Sequence, residues 1–280
     1  MCKNTWVVNQ ILMIVFPNAK INIGLNITER RPDGYHNLET VFYPIKINDV
    51  LEVIESDVLS FQSSGLDIPG DDADNLCIKG YHLLKKDFPK LPAVKIHLHK
   101  NIPIGAGLGG GSSDAAFFIK MMNEKFGLGL SDDAMEDYAR VLGADCAFFI
   151  RNQPVFAFEK GDEFESLKLS LEGYSVVLVM PDAHVSTAEA YRGVKPTPVK
   201  ESLYDLVQAP VADWKRYIRN DFETHIFAAH PVIRGVKATF YEQGALYASM
   251  SGSGASVFGI FETMPDLSAL EEYCQVFYNV

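Results

Sequence analysis

The 280-residue sequence has few cysteines, no long hydrophobic run and no excess of positive charge. Its four cysteines form no C-x-x-C pair and lie near no histidine cluster with zinc spacing, which predicts free thiols in a reducing cytoplasm. No apolar run reaches the ~20 residues that a membrane-spanning helix needs. The 25 Lys and Arg residues against 36 Asp and Glu residues give a formal charge of −11, which disfavours nucleic acid and anionic membranes as partners.

Several familiar catalytic motifs are missing as well. The sequence has no Gly-Lys-Ser/Thr, no His-Arg-Asp, no Asp-Phe-Gly, no Gly-x-Ser-x-Gly and no His-Glu-x-x-His. These absences exclude a Walker-type phosphate loop, a protein kinase, the nucleophile elbow of hydrolases and the common zinc protease helix.

The remaining composition, with 48% hydrophobic and 22% charged residues, is that of a globular protein large enough to fold without a disulfide or metal. The length predicts two domains, and we place them at residues 1–160 and 161–280. Strand-like and helical segments alternate without a strict βαβ rhythm, which favours an α+β fold. The patterns predict helices over 212–229 and 266–278 among others.

The first residues do not resemble a signal peptide. Asn9 and Gln10 interrupt the apolar run, and no small-residue cleavage site follows. Residues 1–12 therefore fit a short extension, and the pattern leaves Met1 and Met13 open as natural start residues.

The clearest strand covers residues 18–27, where small and aliphatic residues at odd positions alternate with polar ones at even positions. Lys20 and Asn22 share the polar face of this strand. Asp145 follows the predicted stop of a helix at Gly143, a position where a carboxylate either caps a helix or serves a site.

A glycine-rich loop at residues 105–111 is the strongest local signal, because five of its seven residues are glycine. Glycines let a backbone approach a ligand and turn its N–H groups inward, and a helix N-terminus adds positive potential. We expect Ser112 and Ser113 to cap the helix that follows. The loop also satisfies G-x-G-x-x-G, but a dinucleotide-binding fold needs an acidic strand end about 20 residues later, and Ser131-Asp132-Asp133 opens a helix there.

Three segments resemble the motifs of the GHMP kinases, the family named for galactokinase and the homoserine, mevalonate and phosphomevalonate kinases. The central match is the loop and helix start at 103–116. Residues 17–22 with 31–38, which contain Asp33-Gly34-Tyr35-His36, resemble the N-terminal motif of one branch of the family. Residues 249–258 resemble its third, glycine-rich motif, and 219–223 and 143–145 also agree.

The resemblance implies two α/β domains with ATP and substrate in the cleft between them. The branch that it indicates transfers the γ-phosphoryl group of ATP, bound with Mg²⁺, to the 2-hydroxyl of a cytidine diphosphate-linked methylerythritol in the non-mevalonate isoprenoid pathway. It implies a cytoplasmic enzyme, monomeric or homodimeric, whose partner is a small molecule rather than nucleic acid or membrane. A kinase for another alcohol, such as homoserine or mevalonate, and an inactive nucleotide-binding module remain as alternatives.

The resemblance also implies roles for particular residues. Lys20 becomes the catalytic cation and Asp145 the general base, the two forming an ion pair in the empty site. ATP would be held by Ile104, Gly105, Ala106, Gly107, Leu108, Gly109, Gly110, Gly111, Ser112, Ser113 and Asp114. The substrate would contact Asn22, Tyr35, His36, Thr187 and Tyr191. The third motif is expected to support the loop, and no protein ligand is assigned to a metal; His97 and His99, two apart on one strand, are expected to be solvated.

Overall fold

The computed structural model describes residues 13–280, so the expectation for residues 1–12 lies outside the described part of the chain. The strands are β1 (Met13–Val15), β2 (Asn18–Arg30), β3 (His36–Asn48), β4 (Val50–Ser56), β5 (Ser60–Gly65), β6 (Ala93–Lys100), β7 (Val155–Phe158), β8 (Glu163–Ser166), β9 (Ser175–Pro181), β10 (Tyr247–Met250), β11 (Val257–Phe261) and β12 (Cys274–Tyr278). The helices are α1 (Leu76–Asp87), α2 (Gly110–Phe126), α3 (Asp132–Leu142), α4 (Phe148–Arg151), α5 (Thr187–Arg192), α6 (Leu203–Leu206), α7 (Val211–Tyr217), α8 (Glu223–Ala229), α9 (Pro231–Glu242) and α10 (Ser268–Glu271).

Within residues 13–280 the strands form three four-stranded sheets, with orders β1-β4-β6-β5, β2-β3-β7-β8 and β10-β11-β9-β12. Every paired neighbour is antiparallel except β5 and β6. This mixture of helices and largely antiparallel sheets confirms the α+β prediction and differs from a doubly wound dinucleotide fold. In the described chain, none of the helices has the length and apolar character that crossing a bilayer demands.

Helix α2 packs between the first two sheets. One side of it, with Phe118 and Met122, shares a core with α1, β4 and β6, and the other side, with Ala115 and Ile119, packs against β3, α3 and α4. The glycine loop precedes this helix directly. The loop is therefore joined to a helix that the cores of two sheets hold in place.

Strand β2 joins the N-terminal and C-terminal parts of the molecule. Its residues Ile21 and Ile23 share one core with Leu178 of β9 and with Trp214 of α7. The opposite face is buried too, since Lys20 and Asn22 are only 3% and 2% exposed. The half-buried strand expected from the alternating pattern is thus covered on both faces, because the glycine loop and the third motif lie over its polar side.

The two long C-terminal helices predicted from the sequence are wrong. The first is divided into α7 and α8, and between them the chain is extended and forms a parallel bridge from Asn220 to Leu25. In place of the second, a four-residue helix α10 leads into β12, which pairs with β9 along its length. Pairing with a strand nearly a hundred residues away overrides the local helical pattern.

Candidate active site

Carbonyl groups of the glycine loop accept hydrogen bonds from other segments of the chain. The carbonyl of Ala106 accepts hydrogen bonds from the hydroxyl and N–H of Ser256, that of Gly107 accepts from the hydroxyl of Ser251, and that of Leu108 accepts from Lys20 N–H. Within residues 13–280, the N–H groups of Gly105, Gly107 and Gly109 donate no hydrogen bond. Free N–H groups with carbonyls turned away form a cradle for an anion.

Gly107 is the loop residue with the least space for a side chain. Its φ is +74°, in the left-handed region, and a Cβ built on it would lie 2.0 Å from the carbonyl oxygen of Ser251. The third motif therefore packs directly on the loop, as the sequence predicts. In addition, Gly252 and Ser253 line the cleft themselves.

Replacement of Gly107 by alanine should destabilise the protein by roughly 2–5 kcal/mol, the sum of left-handed strain and overpacking. Urea denaturation measures this difference. Gly235 supplies the control, because it is exposed within α9 with open space around its α-carbon, and Gly235→Ala should stabilise by about 0.5–1 kcal/mol. Equal stabilities of Gly107→Ala and the parent protein would contradict the tight packing of the two motifs.

The start of α2 differs from the expected serine cap. The N-cap is Gly109, no side chain caps the helix, and Ser112 and Ser113 already lie inside its first turns. The hydroxyl of Ser113 is buried without a hydrogen-bond partner in residues 13–280. The uncapped end leaves its N–H groups directed toward the loop, which suits an anion.

Asp114 lies apart from the cleft, in a buried cluster of charges. Lys100 forms ion pairs with Asp49 and with Asp114, the latter at 2.8 Å, while Asp49 also accepts the N–H groups of Asn101 and Ile102. Asp114 lines a second cavity of about 190 Å³ together with Gly111. Asp114 therefore contacts Lys100 beneath the glycine loop and does not line the cleft.

Burial raises the pKa of Asp114 to about 7, helped by the charge of Asp49 and opposed by Lys100. Between about pH 4 and 7 the folded protein keeps this proton while the unfolded chain releases it. The free energy of unfolding should therefore fall as pH rises through this window. Denaturation across the window should show that Asp114→Asn lacks this component. Parallel pH profiles of the two proteins would contradict it.

Lys20 is the cation at the centre of the cleft. Its Nζ donates to Asn22 Oδ1 at 2.6 Å and to the Gly107 carbonyl at 3.3 Å, and it lies 3.2 Å from Asp145 Oδ2. The ammonium group also stands 4.8 Å from the ring centroid of Phe42. The ion pair expected with Asp145 is present, and it lies beside the glycine loop.

Asp145 is the more accessible member of this pair. Its side chain is 35% exposed, against 4% for Lys20. The short helix α4 has Ala147 as N-cap and no side-chain cap, so Asp145 does not serve as that cap. A carboxylate that is partly open to the cleft and held by a buried lysine can accept a proton from a bound hydroxyl group.

Aromatic residues from both halves of the chain meet in the same cleft. The His36 and Tyr191 rings stack with centroids 5.0 Å apart, and Tyr191 also meets Phe222 edge-on. Burial, with a smaller contribution from Asp145, raises the pKa of Tyr191 to about 12, so its hydroxyl stays neutral. Tyr35 is 65% exposed at the rim.

The cleft has a volume of about 740 Å³ and joins these groups into one site. The predicted residues that line it are Lys20, Asn22, Tyr35, His36, Gly105, Gly107, Gly109, Asp145, Thr187 and Tyr191. Ala106 and Leu108 are buried in the core instead, while Ile104 of the loop and Gly110 and Ser112 at the start of α2 do not line the cleft.

Sequence reasoning missed several lining residues, including Lys160, His184 and Phe222. Lys160 pairs with Asp162 and stands 5.9 Å from the ring centroid of Tyr35. The sequence feature that could have pointed to Lys160 is the turn Glu159-Lys160-Gly161-Asp162. In the structure the carbonyl of Glu159 in this turn accepts the N–H of Leu38 on β3, the strand that begins at His36. Phe222 belongs to the segment 219–223 that resembles the family, but the resemblance gave it no role, and His184 lies outside all of the matching segments.

The histidine pair on β6 lies away from the cleft. The hydroxyl of Ser64 is 3.1 Å from His97 Nε2 and 3.0 Å from His99 Nδ1. Across residues 13–280, no group of three or more His, Cys, Asp or Glu side chains is arranged to hold a metal ion.

The third motif is held from behind by the extended segment between α7 and α8. The amide of Asn220 donates to the carbonyls of Met250 and Gly252, at 2.9 and 2.8 Å. The carboxylate of Glu223 accepts the N–H of Met250 and pairs with Lys237. Ser251 then connects the motif to β2, accepting the N–H of Asn22 at 3.2 Å.

Comparison with known proteins identifies the family. Residues 75–158 match the GHMP kinases N terminal domain, and residues 202–279 match the GHMP kinases C terminal domain. A 4-diphosphocytidyl-2-C-methyl-D-erythritol kinase of Bacteroides thetaiotaomicron is 54% identical over 91% of this chain and 95% of its own. The enzyme of that name from Cytophaga hutchinsonii is 53% identical over 91% and 94%.

Solved structures of kinases have the same fold as this chain. A 4-(cytidine 5'-diphospho)-2C-methyl-D-erythritol kinase superposes with a TM-score of 0.80 at 29% identity, covering 95% of this chain and 98% of its own. A homoserine kinase from Cytophaga hutchinsonii shares the fold, with a TM-score of 0.69 at 16% identity over 99% and 97%. The chain described here belongs to the GHMP kinase family.

Proposed function

We propose that this GHMP kinase phosphorylates 4-diphosphocytidyl-2-C-methyl-D-erythritol, the compound in the names of its relatives. In this reaction the γ-phosphoryl group of ATP moves to the 2-hydroxyl of the methylerythritol unit, a step toward isoprenoid precursors in the non-mevalonate pathway. The proposal includes residues 1–160 as the nucleotide-binding and catalytic domain and residues 161–280 as its partner domain. It describes a cytoplasmic enzyme that works as a monomer or homodimer.

The phosphate tail of ATP would lie on the glycine loop. The unpaired N–H groups of Gly105, Gly107 and Gly109, with the uncapped start of α2, offer donors and positive potential to its oxygens. These donors are fixed before the nucleotide binds, because the loop carbonyls are already bonded elsewhere. Fixed donors stabilise the charge that develops during transfer without a cost of reorganisation.

Asp145 and Lys20 would act on the acceptor hydroxyl. Asp145 takes the proton of the attacking 2-hydroxyl, whose oxygen forms a bond to the γ-phosphorus while the bond to the bridging oxygen of ADP breaks. Lys20 keeps Asp145 in place and stabilises the charge on the transferred group. Asn22 accepts a hydrogen bond from Lys20 and donates one to Thr40, and so orients this lysine. The amide of Asn22 would also contact the erythritol unit.

The cytidine end would bind at the aromatic part of the cleft. Tyr35, His36 and Tyr191 offer ring faces on which a pyrimidine can stack, and Thr187 adds a hydroxyl on the same side. Lys160, next to Tyr35, supplies a cation for the diphosphate that links cytidine to the sugar alcohol.

Mg²⁺ would enter with ATP and shield the phosphate charges. Within residues 13–280 no set of side chains is arranged to hold such an ion, and the Ser113 hydroxyl is buried outside the cleft. No protein ligand is therefore assigned, and the phosphate oxygens of ATP and water would hold the metal.

The observation that carries the proposal is the Lys20–Asp145 pair, 3.2 Å apart beside the glycine loop in the cleft that also holds the His36–Tyr191 stack. The experiment is a phosphorylation assay of the purified protein with ATP and, separately, the cytidylyl alcohol, homoserine and mevalonate. Phosphate transfer to the cytidylyl alcohol alone is expected. Preferred transfer to homoserine or mevalonate would overturn the substrate, and nucleotide binding without transfer to any alcohol would indicate an inactive binding module.

A further inference from the structure

His184 lies between the two walls of the cleft, next to the glycine loop. It belongs to the loop between β9 and α5, yet its ring reaches the N-terminal wall. A Cβ built on Gly105 would lie 3.3 Å from His184 Cε1 and 3.5 Å from its Nδ1. The absence of a side chain at the first loop glycine therefore makes room for this imidazole.

The loop that carries His184 is anchored on both sides of it. Ala183 and Val185 pack against the core of the C-terminal sheet, and Val185 is 2% exposed. Ser186 caps α5 by accepting the N–H of Glu189 at 3.1 Å. His184 itself is exposed and lines the cleft, so the backbone on either side holds an accessible ring over the glycine loop.

The two lysines of the cleft already have polar or charged partners. The three protons of Lys20 face Asn22, Asp145 and the Gly107 carbonyl. Lys160 lies beside Tyr35 and pairs with Asp162, and His36 stacks on Tyr191. Within residues 13–280, the His184 ring makes no hydrogen bond or ion pair, which leaves an unused donor beside the loop N–H groups.

We propose that His184 binds the phosphate tail of the nucleotide, donating a hydrogen bond from its imidazole to a phosphate oxygen held over Gly105. This inference rests on the proposed function only in requiring that the cleft bind ATP. Because the ring comes from the C-terminal part of the molecule, the contact joins both walls across the nucleotide. His184 is thus a binding residue for the donor substrate and makes no contact with the acceptor alcohol.

The test is calorimetric titration of the full chain with a non-hydrolysable ATP analogue, without the alcohol. His184→Ala should weaken the affinity by ~10-fold or more, the typical worth of a hydrogen bond to a charged group. His184→Gln, which keeps an N–H donor, should bind the analogue more tightly than His184→Ala. His82→Ala is the matched control, because His82 is exposed on α1 outside the cleft and should leave the affinity unchanged.

Three outcomes would overturn the inference. If the KM for the alcohol rises while nucleotide affinity stays at the parent value, His184 contacts the acceptor instead; if neither changes, the ring contributes to neither substrate. An NMR titration covers the case in which the alanine variant does not fold: the histidine ring signal that is missing from His184→Gln should move when the parent binds the analogue, and a stationary signal contradicts the contact. A parent protein that binds the analogue but does not phosphorylate the cytidylyl alcohol would refute the proposed function alone.

Discussion

Asp145→Asn should lower kcat by ~10²–10⁴, the usual contribution of a general base. Asparagine matches the carboxylate in size and can still accept a hydrogen bond from Lys20, but it cannot take the proton of the attacking hydroxyl. The loop N–H groups that we propose to bind ATP do not contact Asp145, so the affinity for nucleotide should stay near the parent value. Steady-state kinetics with separate measurement of nucleotide affinity distinguish these two effects.

Asp137→Asn provides the matched control. Asp137 lies on α3, its side chain is 79% exposed, and its one ion pair within residues 13–280 is with Arg140 on the same helix. Such a pair contributes little to stability or activity. If Asp145→Asn kept kcat within about threefold of the parent, the assignment of a base worth ~10² or more would be wrong.

Lys20→Met should lower kcat by ~10²–10³, the typical loss when one fixed donor is removed from a developing negative charge. Methionine has a similar length and makes favourable contacts with aromatic rings, so it can occupy the space beside Phe42. The variant should therefore fold. Rapid-quench measurement of a single turnover reports the chemical step directly.

The exposed Lys46 on β3 supplies the control, and Lys46→Met should keep the parent rate. The double variant Lys20→Met/Asp145→Asn tests whether the two residues act as a unit. Groups that act on one proton and one phosphoryl transfer are strongly non-additive, so the double variant should be hardly slower than the slower single variant. Effects that multiply would mean that Lys20 and Asp145 act independently.

The parts of the site with strong local patterns were predictable from the sequence. The alternation around Lys20 and Asn22 places both on one strand face, and their 2.6 Å contact agrees with it. The run of glycines indicates the unusual backbone of the loop, since glycine adopts without strain the left-handed φ values found at Gly105, Gly107 and Gly109. Both features are consequences of neighbours in the chain.

Features that depend on distant partners were missed. The extended segment at Asn220 and the strand β12 owe their conformation to β2 and β9, which local periodicity does not contain. The predicted serine cap is wrong because α2 begins at Gly110, two and three residues before Ser112 and Ser113. His184 was not predicted because its place in the cleft depends on its contact with Gly105, which lies far away in the sequence on the other wall of the cleft.

A crystal structure of the full chain with a non-hydrolysable ATP analogue and the cytidylyl alcohol is the decisive test of the roles proposed for the glycine loop and Asp145. We expect phosphate oxygens on the N–H groups of Gly105, Gly107 and Gly109, and the 2-hydroxyl oxygen at about 3 Å from the Asp145 carboxylate. A nucleotide bound away from this loop, or a 2-hydroxyl out of reach of Asp145 while both ligands occupy the cleft, would contradict it.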